Sequence, residues 1–162
     1  MIALSDYHKL SPDQYFEWEA KQEIRYEYIN GDVFAMAGGT IAHSMVVANL
    51  ISLLRPHLRG ENFWVLGSDA KVGISPSGEF FYPDLLVTCD DRDRLQRGEA
   101  DRKSAKAVFY PKLIVEVLSP STEAYNRGGK FARYRQLSSL SEYVLVGSES
   151  VGVDAFRLTE RI

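Results

Sequence analysis

Two acidic residues within apolar segments are the side chains of this sequence best suited to chemistry. Glu116 stands at the centre of the run LIVEVL, and Asp84 stands in FYPDLLV. Both runs are typical of strands buried in a sheet, where a carboxylate is costly unless it is paired, hydrogen-bonded or bound to a metal. The two acids are 32 residues apart, so a loop can bring their strands side by side. Converging carboxylates would suit a hard cation such as Mg²⁺, whereas either acid alone could be a strand-end residue or a salt-bridge partner.

Two further charged residues could belong to the same site. Lys130 follows the strand that contains Glu116. It would balance the charge of the two acids or orient a water, unless it is simply a solvated helix lysine. A hairpin over residues 70–87 with its turn at Pro76 and Ser77 would place Asp69 opposite Asp84. Like charges on facing strands are destabilising, so this pairing would hint at a functional role. A register error of one or two residues would remove it.

Other catalytic chemistries are excluded by spacing. The three histidines and the single cysteine, Cys89, do not fall at zinc-binding intervals, and no Gly-x-Ser-x-Gly elbow is present. The GGK at residues 128–130 lacks the remaining positions of a phosphate-binding loop. Cys89 is expected to be a half-buried structural thiol in a reducing compartment.

The elements around the acids alternate between helices and strands. Ser11, Pro12 and Gln14 predict a capped helix that ends near Lys21, and Asn30-Gly31 predicts a tight hairpin. Thr40 can cap a second helix that runs to Gly60, with a bend or an end at Pro56. A polar loop over residues 90–107, the LIVEVL strand, a helix over residues 121–137 and two closing strands complete the pattern. This order predicts one α/β or α+β domain over residues 1–162.

The bulk composition limits the classes of function. The chain has 162 residues, 45% of them hydrophobic, and it carries a net charge of −3. No apolar run spans a bilayer and no secretion signal precedes the first helix, so a cytoplasmic protein without a membrane partner is expected. The net charge argues against a surface coated for nucleic acid. Residues 124–141 nevertheless contain no acidic residue and carry Arg127, Lys130, Arg133 and Arg135.

Four segments together resemble the Uma family of endonucleases, which is grouped with the PD-(D/E)XK, or restriction-endonuclease-like, superfamily. They are PDLLV, LIVEVLSPST, YNRGGKFARYRQLSSLSEYVLV and, in the N-terminal half, YEYINGDVFAMAGGTIAHSMVVANL. The resemblance covers roughly residues 10–157. It implies a restriction-endonuclease-like core, in which helices flank a central mixed sheet, preceded by the N-terminal helix and hairpin.

The resemblance also implies roles for individual residues. Asp84 matches the motif aspartate and Glu116 the acid of the next core strand, so both would hold Mg²⁺ or Mn²⁺ with the Val117 carbonyl. The lysine expected two residues after Glu116 is Leu118 in this sequence, and Lys130 is the matching candidate from the following helix. An upstream acid of the superfamily matches Glu27, and a recurrent family position matches His43.

The implied reaction is hydrolysis of phosphodiester bonds in DNA, without an organic cofactor. The basic helix face with Arg127, Arg133 and Arg135 would contact the DNA backbone, and a homodimer would let paired sites cut both strands. The alternative is a non-catalytic nucleic-acid- or protein-binding module on the same fold, which the missing lysine and the net acidity favour. Membership of a fold alone does not establish the reaction.

Overall fold

Two β-sheets organise the chain. The computed structural model describes residues 9–36, 38–59, 62–75, 78–94 and 106–158. The first sheet has the order β2-β1-β5-β4 and the second the order β3-β6-β7-β8-β9. The strands are β1 Tyr26–Ile29, β2 Asp32–Ala35, β3 Trp64–Gly67, β4 Val72–Gly73, β5 Phe80–Phe81, β6 Leu85–Thr88, β7 Leu113–Leu118, β8 Glu142–Gly147 and β9 Val153–Arg157.

The helices lie between these strands. They are α1 Pro12–Glu19, α2 Ile41–His57, α3 Asp91–Arg94, α4 Glu123–Tyr125, the π-helical segment π1 Asn126–Lys130 and α5 Phe131–Tyr134. The segments α4, π1 and α5 follow one another without a break and connect β7 to β8. Within the described residues no helix is long and apolar enough to cross a membrane.

Local sequence signals account for the N-terminal elements. Ser11 and Gln14 form the predicted reciprocal cap of α1, with the Gln14 N–H 3.3 Å from Ser11 Oγ and the Ser11 N–H 2.8 Å from Gln14 Oε1. Asn30 and Gly31 both have positive φ, 51° and 97°, as the tight turn between β1 and β2 requires. Thr40 caps α2, which continues through Pro56 to His57 instead of ending at the proline.

The second sheet is mixed, and helices cover both of its faces. Strand β7 pairs antiparallel with β6 and parallel with β8. On one face, Leu85, Val87 and Val115 pack under the apolar side of α2. On the other, Ile114 and Leu118 pack in a cluster that includes Tyr134 of α5. Because side chains alternate along a strand, Glu116 shares this second face with Ile114 and Leu118. Both faces of β7 are covered, which explains why the run around Glu116 is continuously apolar. The predicted mixed sheet flanked by helices is confirmed.

The predicted hairpin over residues 70–87 is only partly right. Its register holds for β4 and β5, where Val72 faces Phe81 and Gly73 faces Phe80. It fails beyond them because β5 belongs to the first sheet and β6 to the second, where Gly67 pairs with Leu85. Pro83 stands at this change of sheet and cannot donate a ladder hydrogen bond.

Asp69 therefore does not face Asp84, contrary to the expected pairing. It forms an ion pair with Arg25 instead, and its side chain is 85% exposed. The turn centre at Pro76 and Ser77 lies outside the described residues, as do residues 95–105 of the predicted polar loop.

Candidate active site

Lys130 stands at the centre of a buried charge cluster. Its Nζ lies 2.8 Å from Glu116 Oε1, 2.9 Å from Glu27 Oε1 and 3.2 Å from the Tyr82 carbonyl oxygen. These groups come from π1, β7, β1 and the segment after β5, so four separate parts of the chain meet at one ammonium. The side chains of Lys130, Glu27 and Glu116 are only 3–5% exposed. The two carboxylates supply the paired charge without which a buried lysine would be unstable.

Glu116 is held by two donors on a single oxygen. The Tyr134 hydroxyl donates to Oε1 at 3.0 Å, beside the Lys130 ammonium. Burial raises the pKa of Glu116 to about 7; Lys130 opposes this rise, and the nearby Asp84 adds to it. Burial thus makes Glu116 harder to ionise than an exposed glutamate, and a pKa displaced in this way is common among groups at functional sites.

Asp84 lies nearer the surface, at the point where β6 begins. Its Oδ2 accepts the Val117 N–H at 2.7 Å and lies 3.2 Å from His43 Nε2. The side chains of Asp84 and His43 are 16% and 17% exposed. The hydrogen bond to Asp84 raises the pKa of His43, against the opposing effect of burial, and the backbone of Val117 acts in the same direction as Asp84.

The segment that carries Asp84 is fixed through Tyr82. The Tyr82 N–H donates to Glu27 Oε1 at 3.3 Å, its carbonyl accepts from Lys130, and its hydroxyl donates to Glu19 Oε1 at 2.8 Å. Glu27 thus supports both the lysine and the backbone two residues before Asp84.

A second, partly buried ion pair adjoins this cluster and was missed by sequence reasoning. Glu19, at the end of α1, pairs with Lys71, whose Nζ lies 4.9–5.2 Å from the ring centres of Tyr15, Phe16 and Tyr82. Glu19 also contacts the Tyr82 hydroxyl, so the two clusters share one residue. Nothing in the local sequence around Glu19 or Lys71 distinguishes them from exposed charges.

Tyr134 belongs both to the hydrophobic core and to the charge cluster. Its ring packs in the core, while its hydroxyl reaches Glu116. The four-residue interval between Lys130 and Tyr134 puts both on one helix face, which was the available signal. Leu118, where the motif lysine was expected, packs in the same core cluster.

The three predicted DNA-contact arginines contact residues outside this cluster. Arg127 pairs with Glu123 at 2.7 Å and with Asp154 at 2.8 Å. Arg133 pairs with Glu79 at 3.0 Å and donates to the Gly129 carbonyl. The Arg135 guanidinium lies 5.8 Å from the centre of the Phe131 ring. Their role in DNA binding stays a prediction.

The donor groups around Asp84 suit a hydrated divalent cation. Neither Asp84 Oδ1 nor Glu116 Oε2 accepts a hydrogen bond from the described residues. The N–H and carbonyl of one strand residue point the same way, so the Val117 carbonyl shares the edge of β7 on which its N–H meets Asp84. No group of three or more His, Cys, Asp or Glu side chains in the described part of the chain is arranged for a metal. One or two carboxylates with water ligands is the usual Mg²⁺ arrangement, and these residues fit it.

Comparisons with known proteins bear on the fold and the family of this chain. An uncharacterized protein of Synechocystis, slr1290, is 44% identical over 148 residues, which cover 91% of this chain and 74% of that protein. A second Synechocystis protein, sll1609, is 29% identical over 146 residues, covering 90% of this chain and 79% of that protein.

A solved structure shares the fold. It is described as "a putative nuclease belonging to DUF820" from Anabaena variabilis, and it superposes with a TM-score of 0.74 at 15% identity. The match covers 94% of this chain and 82% of that one. Residues 12–162 match the family model Uma2, described as "Putative restriction endonuclease". With nearly the whole length matched, the chain belongs to the Uma2 family, a family of nuclease type.

Proposed function

We propose that this protein is a metal-dependent endonuclease that hydrolyses phosphodiester bonds in DNA. The observation that carries the proposal is the pair Asp84 and Glu116. Asp84 accepts the Val117 N–H and is near enough to raise the pKa of Glu116, and each carboxylate keeps one oxygen without a partner among the described residues. Family membership supports the nuclease part of the proposal. The metal and the DNA substrate rest on the chemistry of these donors.

In this proposal Asp84, Glu116 and the Val117 carbonyl would hold Mg²⁺ or Mn²⁺. Such an ion lowers the pKa of a bound water and stabilises the charge that develops on the phosphate. The chain contributes the positions of the ligands: Lys130 and Tyr134 hold one oxygen of Glu116 and leave the other free. Ionised Glu116 is the form that binds a cation, and the Lys130 ammonium 2.8 Å from Oε1 favours that form against the effect of burial.

The second candidate is a binding module that keeps the fold without catalysis. It is favoured by Leu118, which replaces the motif lysine, and by the burial of Lys130 among its partners. A binding module would take up no Mg²⁺ at millimolar concentration in calorimetry while still binding its partner. The endonuclease requires such binding, so one titration separates the two.

Metal removal provides the activity test. The wild-type protein should convert supercoiled plasmid to nicked or linear DNA with Mg²⁺ or Mn²⁺. EDTA should abolish the conversion, because the proposed ligands that remain once the ion is removed are carboxylates and a carbonyl, which do not lower the pKa of a bound water as the ion does. Excess Mg²⁺ added after EDTA should restore it, as measured by agarose gel electrophoresis. Equal cleavage with and without EDTA would contradict a metal-dependent reaction.

We further propose that two copies pair through the outer face of α2. Ile41, Met45 and Leu53 are 61–81% exposed there, and residues 41–54 contain no Asp, Glu, Lys or Arg. An antiparallel pairing of two α2 helices that puts Ile41 opposite Ser52 of the second copy also puts Met45 opposite its Ala48. Large residues then face small ones, and no charge meets its own copy across the two-fold axis.

Introducing a charge into this face should separate the copies. Met45→Glu would place a carboxylate in the proposed apolar contact, so its mass by light scattering should fall from twice 18.3 kDa to 18.3 kDa. Ile24→Glu is the matched control, because Ile24 is 50% exposed and lies outside α2. A wild-type protein that is already monomeric at tens of micromolar would refute the pairing.

A further inference from the structure

The ammonium of Lys130 has no donor left for a substrate. A lysine has three N–H donors, and those of Lys130 are directed to Glu116, Glu27 and the Tyr82 carbonyl. Its side chain is 5% exposed. A phosphate could reach this ammonium only by breaking a buried ion pair. Lys130 is therefore placed to hold Glu116 and Glu27 rather than to touch DNA.

His43 is placed differently. Its Nε2 lies 3.2 Å from Asp84 Oδ2, and both side chains reach solvent. Its position on α2 is fixed because its own backbone N–H donates to the cap residue Thr40. The other ring nitrogen, Nδ1, borders the exposed Gly39, where an added Cβ would lie only 2.8 Å away. The absence of a Cβ at Gly39 thus lets the backbone pass beside Nδ1, the ring nitrogen that is not directed at Asp84.

We propose that His43, and not Lys130, is the side chain that donates a hydrogen bond to the phosphate being cleaved. This assignment rests on the proposed endonuclease function. A group that reaches Asp84 from solvent also reaches the imidazole, because these two side chains are about equally exposed, whereas those of Glu116, Glu27 and Lys130 are buried. Negative charge builds on the phosphate oxygens as the water adds, and a fixed N–H donor at that point stabilises it. His43, on α2, would then supply the hydrogen bond to the phosphate that the motif lysine, missing at position 118, does not provide.

The test compares His43→Ala with His57→Ala, the matched control in the exposed last turn of the same helix. Four quantities are measured for each variant: kcat and KM for plasmid nicking, Mg²⁺ affinity by calorimetry, and the thermal midpoint. We expect His43→Ala to lower kcat on the order of 100-fold, the usual effect of losing one such donor. KM, Mg²⁺ affinity and the thermal midpoint should stay close to wild type, and His57→Ala should change none of them.

The Mg²⁺ titration distinguishes contact with the substrate from an indirect role. If His43 acted only by orienting Asp84, its removal would weaken metal binding by about 10–100-fold. A parallel fall in Mg²⁺ affinity and kcat would therefore overturn the assignment, and so would an unchanged kcat. His43→Gln, which keeps a side-chain N–H, should recover part of the lost rate. Absence of cleavage by the wild-type protein is a separate result that would refute the endonuclease function itself, and this assignment with it.

Discussion

Replacing Lys130 with methionine should lower the free energy of unfolding by about 3–5 kcal/mol, the usual cost of leaving one charge of a buried pair unpaired. Methionine fills a similar volume, so packing around π1 should change little. Glu27 and Glu116 would then share a buried space with no cation between them, and the Tyr82 carbonyl would lose its donor. Urea denaturation followed by circular dichroism measures the change.

Two further variants make this result specific. Lys21→Met removes a lysine from an exposed position and should change stability by less than about 0.5 kcal/mol. Lys130→Met combined with Glu27→Gln and Glu116→Gln removes the uncompensated charges and should recover much of the loss. A loss below about 1 kcal/mol for Lys130→Met alone would show that the cluster is not the tightly paired one described above.

The parts of the fold set by local signals could be predicted from the sequence. The cap at Ser11, the turn at Asn30-Gly31 and the cap at Thr40 each depend on residues within a few positions of one another. The break at Pro83 also has a local cause, because a proline has no N–H to donate to a ladder and is therefore confined to strand starts, edges and bulges. Which sheet each side of that break joins depends on distant strands, and for that reason the expected facing of Asp69 and Asp84 was wrong.

The candidate site shows the same division between local and distant information. Asp84 and Glu116 stand out because a carboxylate in an apolar strand needs a local explanation. Glu19, Lys71 and Tyr82 do not stand out, since the side chain of Glu19 contacts Lys71 and the Tyr82 hydroxyl, 52 and 63 positions further along the chain. The buried partners of Lys130 likewise become evident only when β1, β7 and π1 are packed together.

The largest expected effect on activity follows Asp84→Asn, which should lower metal-dependent DNA cleavage on the order of a thousandfold or more. Asparagine removes the charge that would bind the cation but keeps a side-chain oxygen that can accept the Val117 N–H. Truncation to alanine would also leave that N–H without its acceptor, at a cost of about 1–3 kcal/mol. The asparagine variant therefore separates the loss of charge from a loss of structure, as plasmid nicking and thermal unfolding measured in parallel can show.

Asp69→Asn is the matched control for this change. Asp69 is the other aspartate assigned to the site from sequence, but it is 85% exposed and paired with Arg25, so its removal should leave cleavage within about twofold of wild type. Mg²⁺ binding by calorimetry should disappear in Asp84→Asn and persist in Asp69→Asn. Of these two aspartates, only Asp84 contributes a carboxylate at the edge of β7. If both variants cleave DNA as fast as the wild-type protein, the nuclease centre does not lie at Asp84. The buried cluster around Lys130 would then stabilise the fold without taking part in cleavage.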